Sequence, residues 1–423
     1  MICGRLIPDI ISIYEITDVS DVCNEYTDLK RYVMISEIYL DNSATTRQYD
    51  EVTSLMAEVA SRNYGNPSSL HTKGIEAERL ITGARETIAE ILGVQPSEIY
   101  FTSGGTESNN LAILGYLDAN PRKGKHVITT RIEHPSVLEV FRHLESRGYS
   151  VDYLDVDEGG RIVPEQLEKK IRPDTALISI ILVNNETGTI QDIKKISAIR
   201  DSVNRQAVIH ADAVQAFGKM KISPSKSGIG LMSFSSHKIH GPKGIGALYV
   251  SKGIRINPLL YGGGQESLIR SGTENVPGIA GFGLAAKMTA VRIEENLQKA
   301  ARLKQILVDG LAASDIVHRV NSPDDALPYI INISFRNVKA EVLLHHLEQR
   351  GIYVSTGSAC SSHKKSRSHV LTAMNVDPAL IDGAIRFSLS HMNTEEDIRL
   401  TLDALKDIIP VIDISKKRKS VRK

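Results

Sequence analysis

Lys238 arrives with a serine and a histidine at the end of an apolar run, Leu231-Met-Ser-Phe-Ser-Ser-His-Lys238, before Gly241-Pro242 turns the chain away. Leu231, Met232 and Phe234 read as buried strand, so Ser235, His237 and Lys238 are delivered together at its end. An amine so placed can form a Schiff base, and a hydroxyl and an imidazole can hold a phosphate. That set suits a phosphorylated aldehyde cofactor, pyridoxal 5′-phosphate. Most lysines after strands are ordinary surface residues, so the reading depends on what the rest of the chain offers.

Four further segments offer matching chemistry. Phe101-Thr-Ser-Gly-Gly-Thr-Glu-Ser-Asn-Asn110 follows a strand and opens a helix. Its glycines, Gly105 among them, free backbone N–H groups for an anion, and Ser103 and Thr106 add hydroxyls. Plain turn chemistry is the alternative there. Asp212 ends the strand Ala207-Val-Ile-His-Ala-Asp212, where parallel sheets bind ligands. Its carboxylate either partners a pyridine nitrogen or caps a helix, and Gln215 can reach a phenolic oxygen. His134 in Glu133-His134-Pro135 either stacks on a cofactor ring with a part in proton transfer or holds a turn. Asn184-Asn185-Glu186 gathers polar groups at the end of the most apolar strand.

Two residues bear on the substrate. Cys360 lies in the small, polar stretch Ser355-Thr-Gly-Ser-Ala-Cys-Ser-Ser-His-Lys-Lys-Ser-Arg367. Neighbouring His363, Lys364, Lys365 and Arg367 would raise its thiolate fraction, whereas a buried structural cysteine would have apolar neighbours. Arg386 stands inside the apolar strand Ala384-Ile-Arg-Phe-Ser-Leu389, and a buried guanidinium needs an anion. A protein acid and the carboxylate of an amino-acid substrate are both open.

These residues need a scaffold, and the patterning supplies one. Short β-rich runs (Ile99–Thr102, His126–Thr130, Val151–Leu154, Ala176–Val183, Ala207–Asp212, Leu231–Ser235, Gly246–Val250) alternate with helical patterns at Gly74–Leu92, Glu107–Leu117, Pro135–Arg147, Pro164–Lys170 and Ile193–Asn204. Several strands are apolar throughout, as in a sheet covered on both faces. An α/β fold with a mainly parallel sheet follows. From about Val291 the texture changes to a smaller α+β domain, with a helix Val291–Ser314, a strand Tyr329–Phe335, a helix Ala340–Arg350, a strand Ile352–Ser355 and the Arg386 strand. The expected division is an N-terminal extension over 1–33, poorly ordered, a large domain over 51–290, a small domain from 34–50 and 291–410, and a basic tail over 411–423.

The chain has 423 residues, a formal net charge of +1 and three cysteines. It therefore offers no global field for nucleic acid and no disulfide scaffold, and a reducing, cytoplasmic setting follows. No apolar run reaches the ~18 residues of a membrane span. The acid-bearing N-terminal stretch suits neither a signal nor a transit peptide, and no metal is called for.

Together the segments resemble the cysteine desulfurases, the NifS/IscS-like branch of the class V aminotransferase family. The resemblance also rests on Ile38-Tyr-Leu-Asp-Asn-Ser-Ala-Thr-Thr46, Gly65-Asn-Pro-Ser-Ser69, Gly262-Gly-Gly-Gln-Glu266, Arg270-Ser-Gly-Thr-Glu-Asn275 and Ser358-Ala-Cys-Ser361, in family order from Met34 to about Ile409. It implies the type I fold of pyridoxal phosphate enzymes. By motif, Lys238 would carry the cofactor, with Gly105, Thr106, Ser235 and His237 on its phosphate. Asp212 would face the ring nitrogen, Gln215 and Asn185 the phenolic oxygen, and His134 the ring. Arg386 and Asn185 would hold L-cysteine and Cys360 would take its sulfur, giving L-alanine and a persulfide. That sulfur would pass to an acceptor protein, an iron–sulfur scaffold or a tRNA-thiolation enzyme. Thr273 would reach the phosphate of a neighbouring subunit, implying a homodimer.

Departures from the family pattern are Ser43 and Arg47, where Ala and Pro are usual, and the basic run after Cys360. A selenocysteine lyase or a class V aminotransferase is the alternative activity, although an aminotransferase needs no nucleophilic cysteine. A catalytically silent adaptor should have lost Lys238, Asp212 or Cys360, and all three are present.

Overall fold

In chain order the described strands are β1 (Ile38–Tyr39), β2 (Ile99–Thr102), β3 (His126–Thr130), β4 (Ser150–Leu154), β5 (Thr175–Ile181), β6 (Val208–Asp212), β7 (Leu231–Ser235), β8 (Gly246–Val250), β9 (His318–Val320), β10 (Ile330–Phe335), β11 (Ile352–Tyr353), β12 (Ser355–Thr356) and β13 (Ala384–Ser388). The computed structural model describes residues 37–356 and 367–414. The expected extension over 1–33, the tail from 415 on, and Cys360 with His363, Lys364 and Lys365 lie outside the described residues. All thirteen strands belong to one compact unit beginning at Ile38.

Seven strands form the central sheet in the order β2-β8-β7-β6-β5-β3-β4. The pairs from β7 through β4 are parallel, and β8 runs antiparallel to both its neighbours. β3, β5, β7 and β8 are buried along their whole length, as their unbroken apolar runs require when both faces are covered. Met232 and Phe234 point to one face, joining Val52, Ala77, Ile81, Ile88 and Phe282. Leu231 points to the other, with Leu111, Val137, Phe141 and Leu144. Strand alternation therefore sends Ser233 and Ser235 to the Leu231 face. Because Asp212 pairs with Ser233, it faces the same way.

A second, four-stranded sheet in the order β12-β13-β10-β9 is antiparallel. β1 pairs in parallel with β11, and Asp41 bridges Ser388 at the end of β13. The stretch 38–46 is thereby tied to the C-terminal part of the chain. The single strand expected over Ile352–Ser355 is two, β11 and β12, which join different partners. Among the described residues, no helix is long and apolar enough to cross a membrane.

Candidate functional site

Five parallel strands release their chains on the same side of the sheet, and the predicted side chains collect after four of them, β3, β5, β6 and β7. Lys238, half-buried in the short turn after β7, donates its Nζ to the carbonyls of Ser43 and Ala44, each at 2.6 Å. Gln215 Nε2 donates to the same Ser43 carbonyl at 2.9 Å. The stretch 43–46 therefore lies directly against the lysine, held by Thr46 N and Ser43 N, which donate to the His237 carbonyl and Ser388 Oγ.

Asp212 is buried at the end of β6. Its Oδ1 accepts from Val214 N at 3.0 Å, the turn-capping role, and its Oδ2 accepts from Asn109 Nδ2 at 2.8 Å. A carboxylate has about four lone-pair sites, so a further donor such as a protonated ring nitrogen can still be accommodated. Asn109 also donates to Ser136 Oγ at 2.9 Å, and that hydroxyl lies 2.8 Å from His134 Nδ1. His134 Nδ1 accepts from Ser136 N and caps the helix Pro135–Ser146. Because Nδ1 accepts, the neutral ring carries its proton on Nε2. Burial lowers the His134 pKa; Asp212 opposes this, and Lys238 and His369 reinforce it. Asn109 is the residue that links His134 to Asp212, and nothing in its own sequence neighbourhood announces the role.

The phosphate reading can be tested on an orphaned atom. Ser235 Oγ is buried with no hydrogen-bond partner among the described residues, a costly state unless something polar reaches it. A Cβ built on Gly105 would stand 3.8 Å from Ser235 Cβ, so the hydroxyl lies beside the start of the helix Gly105–Asn110. Gly246 lets Gly104 approach to where a Cβ would meet Gly104 Cα at 2.7 Å, and Gly104 itself takes φ +153°. Thr106 is exposed in the first turn of this helix. His237 Nδ1 lies 3.2 Å from Thr45 Oγ1, and burial, with Lys238, Lys243 and Lys219, pushes its pKa down to about 4. An unpartnered hydroxyl, a helix start, a nearby amine and an acid at the next strand end fit a phosphorylated pyridine aldehyde.

Arg386 is buried in β13 and pairs with a protein acid, donating to Asp41 Oδ1 at 2.8 Å and to the Asn185 carbonyl at 3.1 Å. Its Nε is buried without a hydrogen-bond partner among the described residues. Asn185 is thus tied to the arginine through its backbone. Thr273 is exposed in the loop before the helix Val276–Ala290. That loop is anchored by Arg270, whose Nε meets Glu107 Oε1 at 2.9 Å, and by Glu266, which pairs with Arg85 at 2.8 Å.

Three buried ionisable groups around the site carry no role in the sequence reading. Lys219 donates to Gln215 Oε1 at 2.9 Å, and burial beside Lys238 and Arg386 pushes it down to about 7. Burial raises Glu133 to about 8 and Glu186 to about 7. Glu186 accepts from Ser368 Oγ at 2.5 Å. Polar residues closing apolar strands were the available signal for both acids.

Comparison with known proteins adds independent weight. The Aminotransferase class-V family profile matches residues 38–400. A protein named cysteine desulfurase IscS from Methanosarcina thermophila is 46% identical over 372 residues, 88% of this chain and 92% of the relative. Its namesake from Dictyoglomus turgidum is 44% identical over 379 residues, 89% of this chain and 95% of that one. A solved structure described as a NifS-like protein matches with a TM-score of 0.84 and 41% identity, covering 89% of this chain and 100% of the other.

Proposed function

The chain belongs to the class-V aminotransferase family, and on that premise we propose that it is a cysteine desulfurase, removing sulfur from L-cysteine to leave L-alanine. Its fold is the type I architecture of pyridoxal phosphate enzymes. The observation that carries the reading is the convergence of Lys238 and Gln215 on the Ser43 carbonyl, with Asp212 and the orphaned Ser235 hydroxyl at the adjacent strand ends.

Pyridoxal 5′-phosphate, when bound, supplies an electron sink for the bonds at the substrate Cα. Lys238 would be its attachment point and would move the Cα proton. Ser235, His237, Gly105 and Thr106 would hold its phosphate, Asp212 its ring nitrogen, and Gln215, Asn185 and His134 would bind the rest of the ring. Arg386 binds the substrate carboxylate, exchanging Asp41 for it as an acid of equal charge. Cys360 thiolate attacks the sulfur of cysteine: the substrate C–S bond breaks, an S–S bond forms on Cys360, and the substrate carbon takes a proton to become alanine. The persulfide then passes to an acceptor protein of iron–sulfur assembly or tRNA thiolation. Two copies of the chain make the enzyme, each lending Thr273 to the other's phosphate, and a thiol nucleophile suits the reducing cytoplasm.

The test is incubation with L-cysteine followed by mass spectrometry of the Cys360 peptide. One added sulfur on Cys360 and stoichiometric alanine are expected. Cys360→Ala should keep the visible absorbance of bound cofactor and lose alanine release; undiminished release would remove Cys360 from the mechanism.

A further inference from the structure

A cavity of about 880 Å³ lies between the start of the helix Ile193–Asn204, the stretch 220–227 and the turn 157–162. None of its lining residues belongs to the site described above. Its floor is apolar, and Ile190, Ile193, Ile199, Met220 and Ile222 are only half-buried there. Exposed lysines stand on its rim, Lys194 and Lys195 on the helix and Lys226 across from them.

The rim charge is unbalanced. Arg161 and Lys221 are paired, with Asp325 and Glu294. Lys194, Lys195 and Lys226 have no ion-pair partner among the described residues. The other acids at the rim are engaged: Asp157 Oδ1 accepts from Gly159 N at 2.9 Å and Arg161 N at 2.8 Å, and Asp192 Oδ1 accepts from Lys195 N at 3.0 Å. Lys194 and Lys195 also fall in the first turn of their helix, which carries no acid. The helix macrodipole disfavours cations there, and no ion pair offsets the cost. A local rule broken without compensation points to a role outside the fold.

Floor and rim together select the occupant. Nucleic-acid phosphates would suit the lysines but not the isoleucines, and a flat lipid surface does not enter a concavity. A small-ligand pocket converges buried polar groups on its occupant. Here the buried Gln191 is spent on the Gly160 carbonyl at 2.7 Å and on Ile162 N at 3.0 Å, and the unspent charge is all at the rim. A peptide with apolar side chains between carboxylates matches both. We propose that this groove docks an acidic, apolar-anchored segment of a partner protein, with Lys194, Lys195 and Lys226 receiving its carboxylates.

The probe is a fluorescein-labelled peptide, Glu-Leu-Asp-Ile-Glu-Leu-Asp, beside a twin with Gln and Asn in place of the acids. Both are titrated against the full chain by fluorescence polarisation. The acidic peptide should bind about tenfold or more tightly than its twin, and added salt should weaken it. The double variant Lys194→Gln, Lys195→Gln should weaken the acidic peptide by about fivefold. It should also raise the urea midpoint, because two cations leave the positive end of the helix. Ile222→Asp should weaken both peptides. No binding of the acidic peptide, equal binding of the twin, or an unchanged affinity in the lysine variant overturns the proposal. A lowered urea midpoint also overturns it, since the lysines would then serve the fold. Carbodiimide cross-links from these lysines to acids within residues 1–33, in place of the probe, would make the chain its own ligand and overturn the partner as well.

Discussion

Glu133 shows how one residue at the site links to stability. Its Oε1 accepts from Thr130 Oγ1 at 2.7 Å and Ile181 N at 2.8 Å, while Oε2 is buried without a partner among the described residues. Burial first, then the nearby Asp212, pushes the carboxyl up to about 8, so at neutral pH the proton rests on Oε2. The folded value lies above the unfolded one of ~4.3, and the folded state holds the extra proton between them. Stability is then full below ~4.3 and falls as pH rises toward 8. Glu133→Gln copies the protonated acid and keeps both acceptor contacts. It should match wild type near pH 4.5 and become progressively more stable than wild type up to pH 8, by a margin on the order of a few kcal/mol. Urea midpoints at pH 4.5, 6 and 8 measure this; a constant difference across the series would contradict it. Lys238, Asp212 and Arg386 were legible in the sequence because each interrupts or ends an apolar run. Asn109 was not, since its partner Asp212 is 103 positions away. Lys219 was not, because a lysine reads as exposed until a fold encloses it.

At the scale of elements, strand ends were more legible than the helices behind them. Ile99–Thr102, His126–Thr130, Leu231–Ser235 and Gly246–Val250 were bounded correctly from their apolar runs. The helix Val276–Ala290 was missed, and its composition explains why: apart from Lys287 and Thr289 its residues are apolar or glycine, and most of them, from Val276 and Ile279 to Phe282, Ala285 and Ala286, are buried. A helix apolar nearly all round has no polar face, and without one the 3.6-residue period vanishes. It packs on the helix Thr72–Leu92, where a Cβ on Gly283 would meet Ala84 Cβ at 2.7 Å and Ala84 Cα at 2.8 Å. Backbone stands at that contact, so no side chain can give way. Gly283→Ala should therefore destabilise by about 1–3 kcal/mol through overpacking. Gly83, on the exposed side of the partner helix, has open space around its Cβ position. Gly83→Ala should stabilise by about 0.5–1 kcal/mol from helix propensity alone. Paired urea melts decide it, and equal effects at the two glycines would refute the close-approach argument.

The whole molecule poses the question of how many chains make one site. Tyr64, Leu70, Tyr261 and Leu268 are 72%, 96%, 85% and 66% exposed, large apolar side chains that a second chain would cover. Arg270 and Glu266 fix the loop bearing the exposed Thr273 to the helix Gly105–Asn110 and to the helix Thr72–Leu92. If Thr273 serves the phosphate of the other copy, the two copies share each site, and complementation can reveal it. A dimer of one Lys238→Ala chain and one Thr273→Val chain would then hold one site with both lesions and one with neither. Only the intact site keeps Lys238, so the visible band of this mixed dimer should bind cofactor with wild-type affinity. If Thr273 acts within its own chain, the site that keeps Lys238 is the one that lacks the threonine hydroxyl. Its affinity should then fall with that of the Thr273→Val homodimer, by tenfold or more for a charged hydrogen bond of about 1.5–3 kcal/mol. Co-expressed, differently tagged chains give the mixed species, and cofactor titration of its visible band separates the two arrangements.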